Sequence, residues 1–226
     1  MQSHGKIFLA DDRGTFEDAS ERRYSTFNYG EYQNQYKSPF GSIYLLNDEL
    51  LAANSSKQIK ADKDSIHIII PLRGELAVSN AGTDSTVDVE EIAILGAWEN
   101  EILTFSNTYE ADWVSFIHLG IKYQNAMPMF SKHHFNFSVD RGLVAVIEEA
   151  VDYPFSLNIG LFKGREEAQY ELKSPCGKVL CFVISGAFEI EGRLLHERDS
   201  LGLWDLEKVE IEALSNHAIL MLLELN

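Results

Sequence analysis

The chain contains only two cysteines, Cys176 and Cys181, among 226 residues. A disulfide framework is excluded by that count, and no second pair exists to complete a zinc tetrad. The spacing is not C-x-x-C, so a redox pair is not indicated. Cys181 lies inside the apolar run Val179-Leu180-Cys181-Phe182, where a free thiol behaves as a small hydrophobe. Basic residues are also scarce, 19 against 35 acidic, for a net charge of -16. Such a surface repels phosphate backbones, so direct nucleic-acid binding is not expected. No stretch approaches the roughly 20 apolar residues of a membrane span, and no membrane partner is expected. Residues 1–6 lack the charged start and apolar middle of a signal peptide, so the expected location is cytoplasmic. There is no G-x-S-x-G elbow, no P-loop and no G-x-G-x-x-G, and no catalytic residue is assigned.

What is present is strand signal. Apolar residues make up 45% of the chain, ample for a core. Short runs rich in Val, Ile, Phe and Tyr recur between turn residues, which predicts an all-β architecture. One phrase occurs twice. His67-Ile68-Ile69-Ile70-Pro71-Leu72-Arg73-Gly74-Glu75-Leu76-Ala77-Val78 has its counterpart in Val179-Leu180-Cys181-Phe182-Val183-Ile184-Ser185-Gly186-Ala187-Phe188-Glu189-Ile190. In each, an apolar run meets a glycine and an alternating strand leaves it. Two barrels are predicted, each sheet closing on itself to remove exposed edges. The expected domains are residues 1–125 and 156–226, with 126–155 as a linker. Within that linker, Arg141 to Val151 fits either a short helix or a strand. The last run, Ala218 to Leu225, is apolar on both faces over part of its length, as a central strand would be.

Three further segments carry a family resemblance. Tyr24-Ser25-Thr26-Phe27-Asn28-Tyr29-Gly30-Glu31-Tyr32, Phe40-Gly41-Ser42-Ile43-Tyr44-Leu45-Leu46-Asn47-Asp48-Glu49 and Pro128-Met129-Phe130-Ser131-Lys132-His133-His134-Phe135 are similar, in order and spacing, to pirin and the bacterial quercetinase-like bicupins. The tail from Leu161 to Leu225 resembles the C-terminal cupin of that family. The resemblance implies a bicupin: two tandem antiparallel β-barrels of the double-stranded β-helix or jelly-roll type. It also implies a divalent transition metal such as iron in the N-terminal barrel, held by three imidazoles and a carboxylate from two strands.

The ligand positions do not carry those residues. Counted from the glycine phrase, the first pair falls on Lys60 and Asp62, and the later pair on Leu103 and Phe105. No metal ligand and no cofactor are therefore predicted. Lys60, Asp62, Leu103 and Phe105 become candidates for the lining of a metal-free pocket, together with His118, which alternates with Phe116. Strand parity places His67 on the face opposite Lys60 and Asp62, pointing away from that pocket or across to another sheet. The adjacent His133 and His134 point opposite ways and cannot readily chelate together. The function expected is a pirin-like bicupin without its metal, acting as a small-molecule-binding, regulatory or vestigial protein. Two alternatives stay open: a quercetin 2,3-dioxygenase-like oxygenase with a relocated site drawing on Asp62, His118 or His67, and a protein-interaction module whose acidic surface steers toward basic partners.

Overall fold

The computed structural model describes residues 3–124, 129–137, 142–147, 153–174 and 177–225. The described chain is built of strands, apart from one short 3-10 turn at Ala10–Asp12. It divides into two compact units, Arg13–His134 and the combination of Met1–Asp12 with Phe135–Asn226. The chain opens with β1 (His4–Phe8). The N-terminal unit follows with β2 (Gly14–Glu17), β3 (Glu21–Ser25), β4 (Ile43–Leu51), β5 (Ser56–Lys60), β6 (Ser65–Arg73), β7 (Leu76–Asn80), β8 (Thr83–Val87), β9 (Glu91–Ala97), β10 (Ile102–Ser106), β11 (Val114–Lys122) and β12 (Met129–His134). The C-terminal unit holds β13 (Gly142–Ile147), β14 (Phe155–Phe162), β15 (Glu167–Glu171), β16 (Lys178–Ser185), β17 (Phe188–Ile190), β18 (Arg193–Leu195), β19 (Ser200–Trp204), β20 (Lys208–Ala213) and β21 (Ala218–Leu225).

The two units repeat one topology. In the first, a large sheet contains the order β9-β6-β11-β4 and a small sheet runs β5-β10-β7-β8. In the second, the same places are taken by β19-β16-β21-β14 and β15-β20-β17-β18. The two glycine phrases fall at matching points. Gly74 follows β6 and Gly186 follows β16, both with positive φ, where glycine carries no Cβ penalty. The terminal strand β21 is central, flanked by β16 and β14.

Each core is made between the two sheets of its unit. The N-terminal core joins Leu51, Ile69 and Val114 of the large sheet to Ile59, Leu76, Leu103 and Phe105 of the small one. The C-terminal core does the same with Val179, Cys181 and Leu222 against Phe188, Val209 and Ile211. The expected barrels are thus jelly-roll sandwiches, not closed cylinders. Side chains bridge the two sheets where no continuous ladder does.

The expected domain limits differ from the observed ones at both ends. Strand β1 pairs antiparallel with β19, so the first residues of the chain complete the sheet of the C-terminal unit. The segment 126–155 is not a bare linker. Its β12 pairs with β9 and its β13 with β14, each extending the large sheet of a different unit. Residues 142–147 of the ambiguous segment are strand, while 148–151 and Cys176 lie outside the described residues.

Candidate functional site

The site is built on the two sheets of the N-terminal unit. On the small sheet, β10 pairs with β5 so that Leu103 faces Ile59 and Phe105 faces Lys57. Directly paired residues share one face of a sheet. The inward face of this ladder therefore carries Lys57, Ile59, Leu103 and Phe105. The outward face carries Gln58, Lys60, Ile102 and Thr104. Leu103 and Phe105 are fully buried, whereas Lys60 and Asp62 are exposed.

This corrects the expected pocket. Lys60 projects from the face opposite Leu103 and Phe105, and Asp62 is exposed. The positions that face inward with Leu103 and Phe105 are Lys57 and Ile59, followed by the buried Ala61. His67 is on the face opposite the exposed Lys60 and Asp62, and it points into the interior.

On the large sheet, β11 places His118 beside Asn47 of β4 and Ile69 of β6. Glu49, two residues along β4, lies on the same inward face, as does His67, two residues along β6. These groups form one hydrogen-bonded chain. The Nζ of Lys57 donates to Glu49 Oε2 at 2.6 Å and meets Glu21 Oε2 at 3.0 Å. Asn47 Nδ2 donates to Glu49 Oε1 at 3.0 Å, and His118 Nδ1 reaches the same oxygen at 3.3 Å. His118 Nε2 meets His67 Nδ1 at 2.8 Å. His67 Nε2 then meets Ser65 Oγ at 3.0 Å and the Tyr44 hydroxyl at 3.4 Å.

The proton positions follow from the carboxylate. Ionised Glu49 only accepts, so His118 carries its proton on Nδ1 and accepts at Nε2. His67 must then donate from Nδ1, and its Nε2 accepts from a hydroxyl. Ser65 Oγ donates to the Lys63 carbonyl at 2.9 Å, which leaves Tyr44 as the donor to His67. Burial would raise the Glu49 carboxyl, but the His118 hydrogen bond and the Lys57 charge outweigh it and hold it well below the usual carboxylate range. Burial lowers His67, and the neighbouring His118 lowers it further. Burial also lowers His118, against the pull of Glu49. Both imidazoles are therefore neutral. The Phe105 ring sits edge-on to His118 with centroids 5.2 Å apart and seals this chain on the small-sheet side. Gly120 faces His67 across the ladder, and a Cβ there would lie 2.9 Å from the Tyr44 ring.

Tyr44 connects the chain to the surface. A cleft of about 590 Å³ is lined by Arg23, Tyr29, Gln33, Tyr44, Gln58, Lys60 and Asp62, among others. Arg23 stacks over Tyr29 at 4.6 Å and meets Glu21 at 3.2 Å. The buried chain thus starts at one wall of the cleft, Arg23, and ends at another, Tyr44. Burial raises the Tyr29 hydroxyl far above its ordinary value, so the phenol is neutral. Lys60 and Asp62 line the rim of this cleft, while Leu103, Phe105 and His118 lie behind it.

The C-terminal unit has a smaller polar cluster of its own. Tyr170 donates to Glu224 Oε2 at 2.6 Å, and the backbone N–H groups of Lys173 and Ser174 donate to the same carboxylate at 2.9 Å. Burial and the Glu224 contact push Tyr170 up to about 12. The arrangement fastens the loop after β15 to the end of β21. Among the described residues of the whole chain, no three His, Cys, Asp or Glu side chains gather as a metal-ligand group.

This duplicated jelly-roll has known counterparts. Residues 153–225 match the family described as the quercetinase C-terminal cupin domain. YhhW from Escherichia coli superposes with a TM-score of 0.87 at 17% identity, over 99% of this chain and 98% of that one. YhaK from Escherichia coli gives 0.73 at 20% identity, over 90% and 93%. A quercetin 2,3-dioxygenase from Acinetobacter baumannii gives 0.71 at 11% identity, over 97% and 78%. No curated protein matches the sequence. The chain is a bicupin. Its C-terminal unit matches the quercetinase C-terminal cupin domain, and its fold is that of these duplicated jelly-roll structures.

Proposed function

We propose that this chain is a metal-independent bicupin that binds a small organic molecule in the cleft of its N-terminal unit. The observation that carries the reading is the inward face of β5 and β10, which presents Lys57, Ile59, Leu103 and Phe105. The donors of this interior do not suit a transition metal. An ammonium group occupies Glu49, Ile59, Leu103 and Phe105 are hydrocarbon, and both nitrogens of each histidine are engaged by neighbours. Three free imidazole or carboxylate donors are what such an ion needs.

The cleft suits an organic ligand instead. Its volume of about 590 Å³ lies in the ordinary range for small-molecule sites. Tyr29 and Tyr44 offer aromatic faces and neutral hydroxyls. Lys60, Asp62 and the amides of Gln33 and Gln58 offer a mixed polar rim. A molecule with a flat apolar body and a few polar substituents matches that lining.

Two measurements test the reading. Elemental analysis of protein purified without chelator is expected to show far less than one equivalent of iron, nickel, copper or zinc. A full equivalent of any of them overturns it, as does oxygen uptake with quercetin. Thermal-shift screening against small aromatic metabolites is expected to give hits that weaken in Lys60→Ala and Asp62→Ala. Hits indifferent to both substitutions would move the site elsewhere.

A further inference from the structure

The position of Lys57 has a meaning beyond the absence of a metal. A lysine side chain is rarely buried without a partner, because an ammonium group loses its hydration there. Lys57 is only 9% exposed, projects from the small sheet into the interior, and lies opposite Phe105. Its Nζ sits between Glu49 Oε2 at 2.6 Å and Glu21 Oε2 at 3.0 Å. Glu49 is itself 1% exposed, a carboxylate that interior burial would otherwise neutralise. His118 and Asn47 donate to its other oxygen, but both are neutral dipoles. Among the described residues, Lys57 is the full positive charge that touches Glu49. Glu21 is balanced on its other side by Arg23 at 3.2 Å, so the four groups alternate in sign from the cleft inward.

We infer that Lys57 is the resident cation of the N-terminal barrel: a covalently tethered ammonium group that holds Glu49 ionised and the histidine chain in one tautomer, and that excludes a divalent ion by occupying its counter-charge. The inference rests on the metal-independent reading above. It adds that the interior still needs a cation, and that the chain supplies it. Removing the ammonium group without filling its place should leave two facing carboxylates, Glu21 and Glu49, whose oxygens Zn2+ can accept as ligands.

The experiment compares the full chain with Lys57→Ala, Lys57→Met and Lys57→Ala/Glu49→Gln. Each is scanned for thermal unfolding alone, with Zn2+ and with methylammonium chloride. Lys57→Ala is expected to melt lower than the parent and to recover by about 5 °C or more with either cation. The parent and the double variant are expected not to respond. Lys57→Met, whose chain fills the same space without charge, should melt low and resist methylammonium rescue. The inference is overturned if Lys57→Met melts with the parent, or if neither cation raises Lys57→Ala. Zinc held by the parent chain sinks the metal-independent reading, a result separate from failure of rescue in the variant. Where Lys57→Ala yields no folded protein, the pair Lys57→Met/Glu49→Gln decides. Recovery of folded protein when both charges are removed supports the counter-charge role. Failure of that pair to fold overturns it.

Discussion

His67 and His118 are joined ring to ring, Nδ1 to Nε2 at 2.8 Å, and neither is exposed to solvent. Only one proton can lie between them, and Glu49 decides which ring supplies it. The pair therefore transmits the state of a buried carboxylate to Tyr44 at the cleft. A second proton on His118 would force two donors to face each other across the ring pair, whereas one on His67 would meet hydroxyl oxygens that can accept it.

That relationship predicts acid sensitivity. Burial lowers the pKa of both rings in the folded chain below the ordinary value of about 6.5. Between the folded and unfolded values the unfolded chain binds more protons, so stability rises with pH there. It is fully present above about pH 6.5 and is lost as pH falls. Glu49, whose folded pKa is also depressed, adds loss of the same sign below the ordinary carboxylate value. Urea unfolding from pH 7.5 to 5 is expected to show a decline of up to about 1.4 kcal/mol per pH unit for each histidine. His67→Asn should flatten the profile by about one proton. A profile equally steep in that variant would contradict the account.

Tyr44 is held in place by an absent side chain. Since a Cβ at Gly120 would lie 2.9 Å from its ring, Gly120→Ala should push the hydroxyl away from His67. The 3.4 Å contact has little length to spare. The expected cost is about 1–3 kcal/mol, as for other overpacked interiors. Ligands found for the cleft should weaken in the same variant. Unchanged stability would show that the ring can swing aside freely.

In the C-terminal unit, Tyr170→Phe removes one donor from a fully buried carboxylate and leaves the backbone donors in place. A hydrogen bond to a charged group is worth roughly 1.5–3 kcal/mol, and a loss in that range is expected in urea unfolding. Glu224→Ala should cost more. It strands the N–H groups of Lys173 and Ser174 and leaves the phenol its contact with Ser156. Equal losses from the two substitutions would mean that the loop is fastened by other contacts.

Much of the fold was legible. The strand runs and two glycine turns gave a duplicated β unit, because each Gly marks a turn with positive φ between matching strands, and the family resemblance gave its jelly-roll type. The site was less legible, for a reason of parity. A register error of one residue exchanges the faces of a strand. The apolar phase at Ile59, Ala61, Leu103 and Phe105 was the available signal, and it places Lys57, not Lys60, inside. Glu49 gave no local signal. It sits in an Asn47-Asp48-Glu49 run that looks polar on every residue, and only pairing with β11 brings it to His118. Strand β1 was invisible for a similar reason, since its partner β19 lies almost 200 residues away.

The acidic surface has a local consequence in the small sheet of the C-terminal unit. Glu167, Glu212 and Glu189 lie directly opposite one another across β15, β20 and β17. Like charges in register are destabilising, and Arg165 at 2.8 Å from Glu212 relieves only part of this row. Glu167→Lys should raise stability by about 0.5 kcal/mol at low salt, and the gain should shrink as salt is added. Thermal melts of parent and variant at low and high ionic strength measure both. A gain independent of salt would point to packing, not charge.

The two positive-φ glycines on either side of β17 separate backbone strain from crowding. At Gly192, φ is +68° and an added Cβ meets nothing within 4 Å. At Gly186, φ is +82° and an added Cβ would lie 2.4 Å from Ser215 Oγ and 2.9 Å from the Ala218 Cβ. The first substitution to alanine incurs only the left-handed backbone cost, about 1 kcal/mol. The second adds a collision with the start of β21, and overpacking of that kind brings the expected total to about 3 kcal/mol. Because Ser215 Oγ also accepts from the Ala187 N–H at 3.0 Å, the displaced serine would release a turn hydrogen bond as well. Urea unfolding of the two alanine variants gives the comparison directly. If they lose equal stability, the turn after β16 has room that its contacts deny, and the glycine there answers to backbone conformation alone.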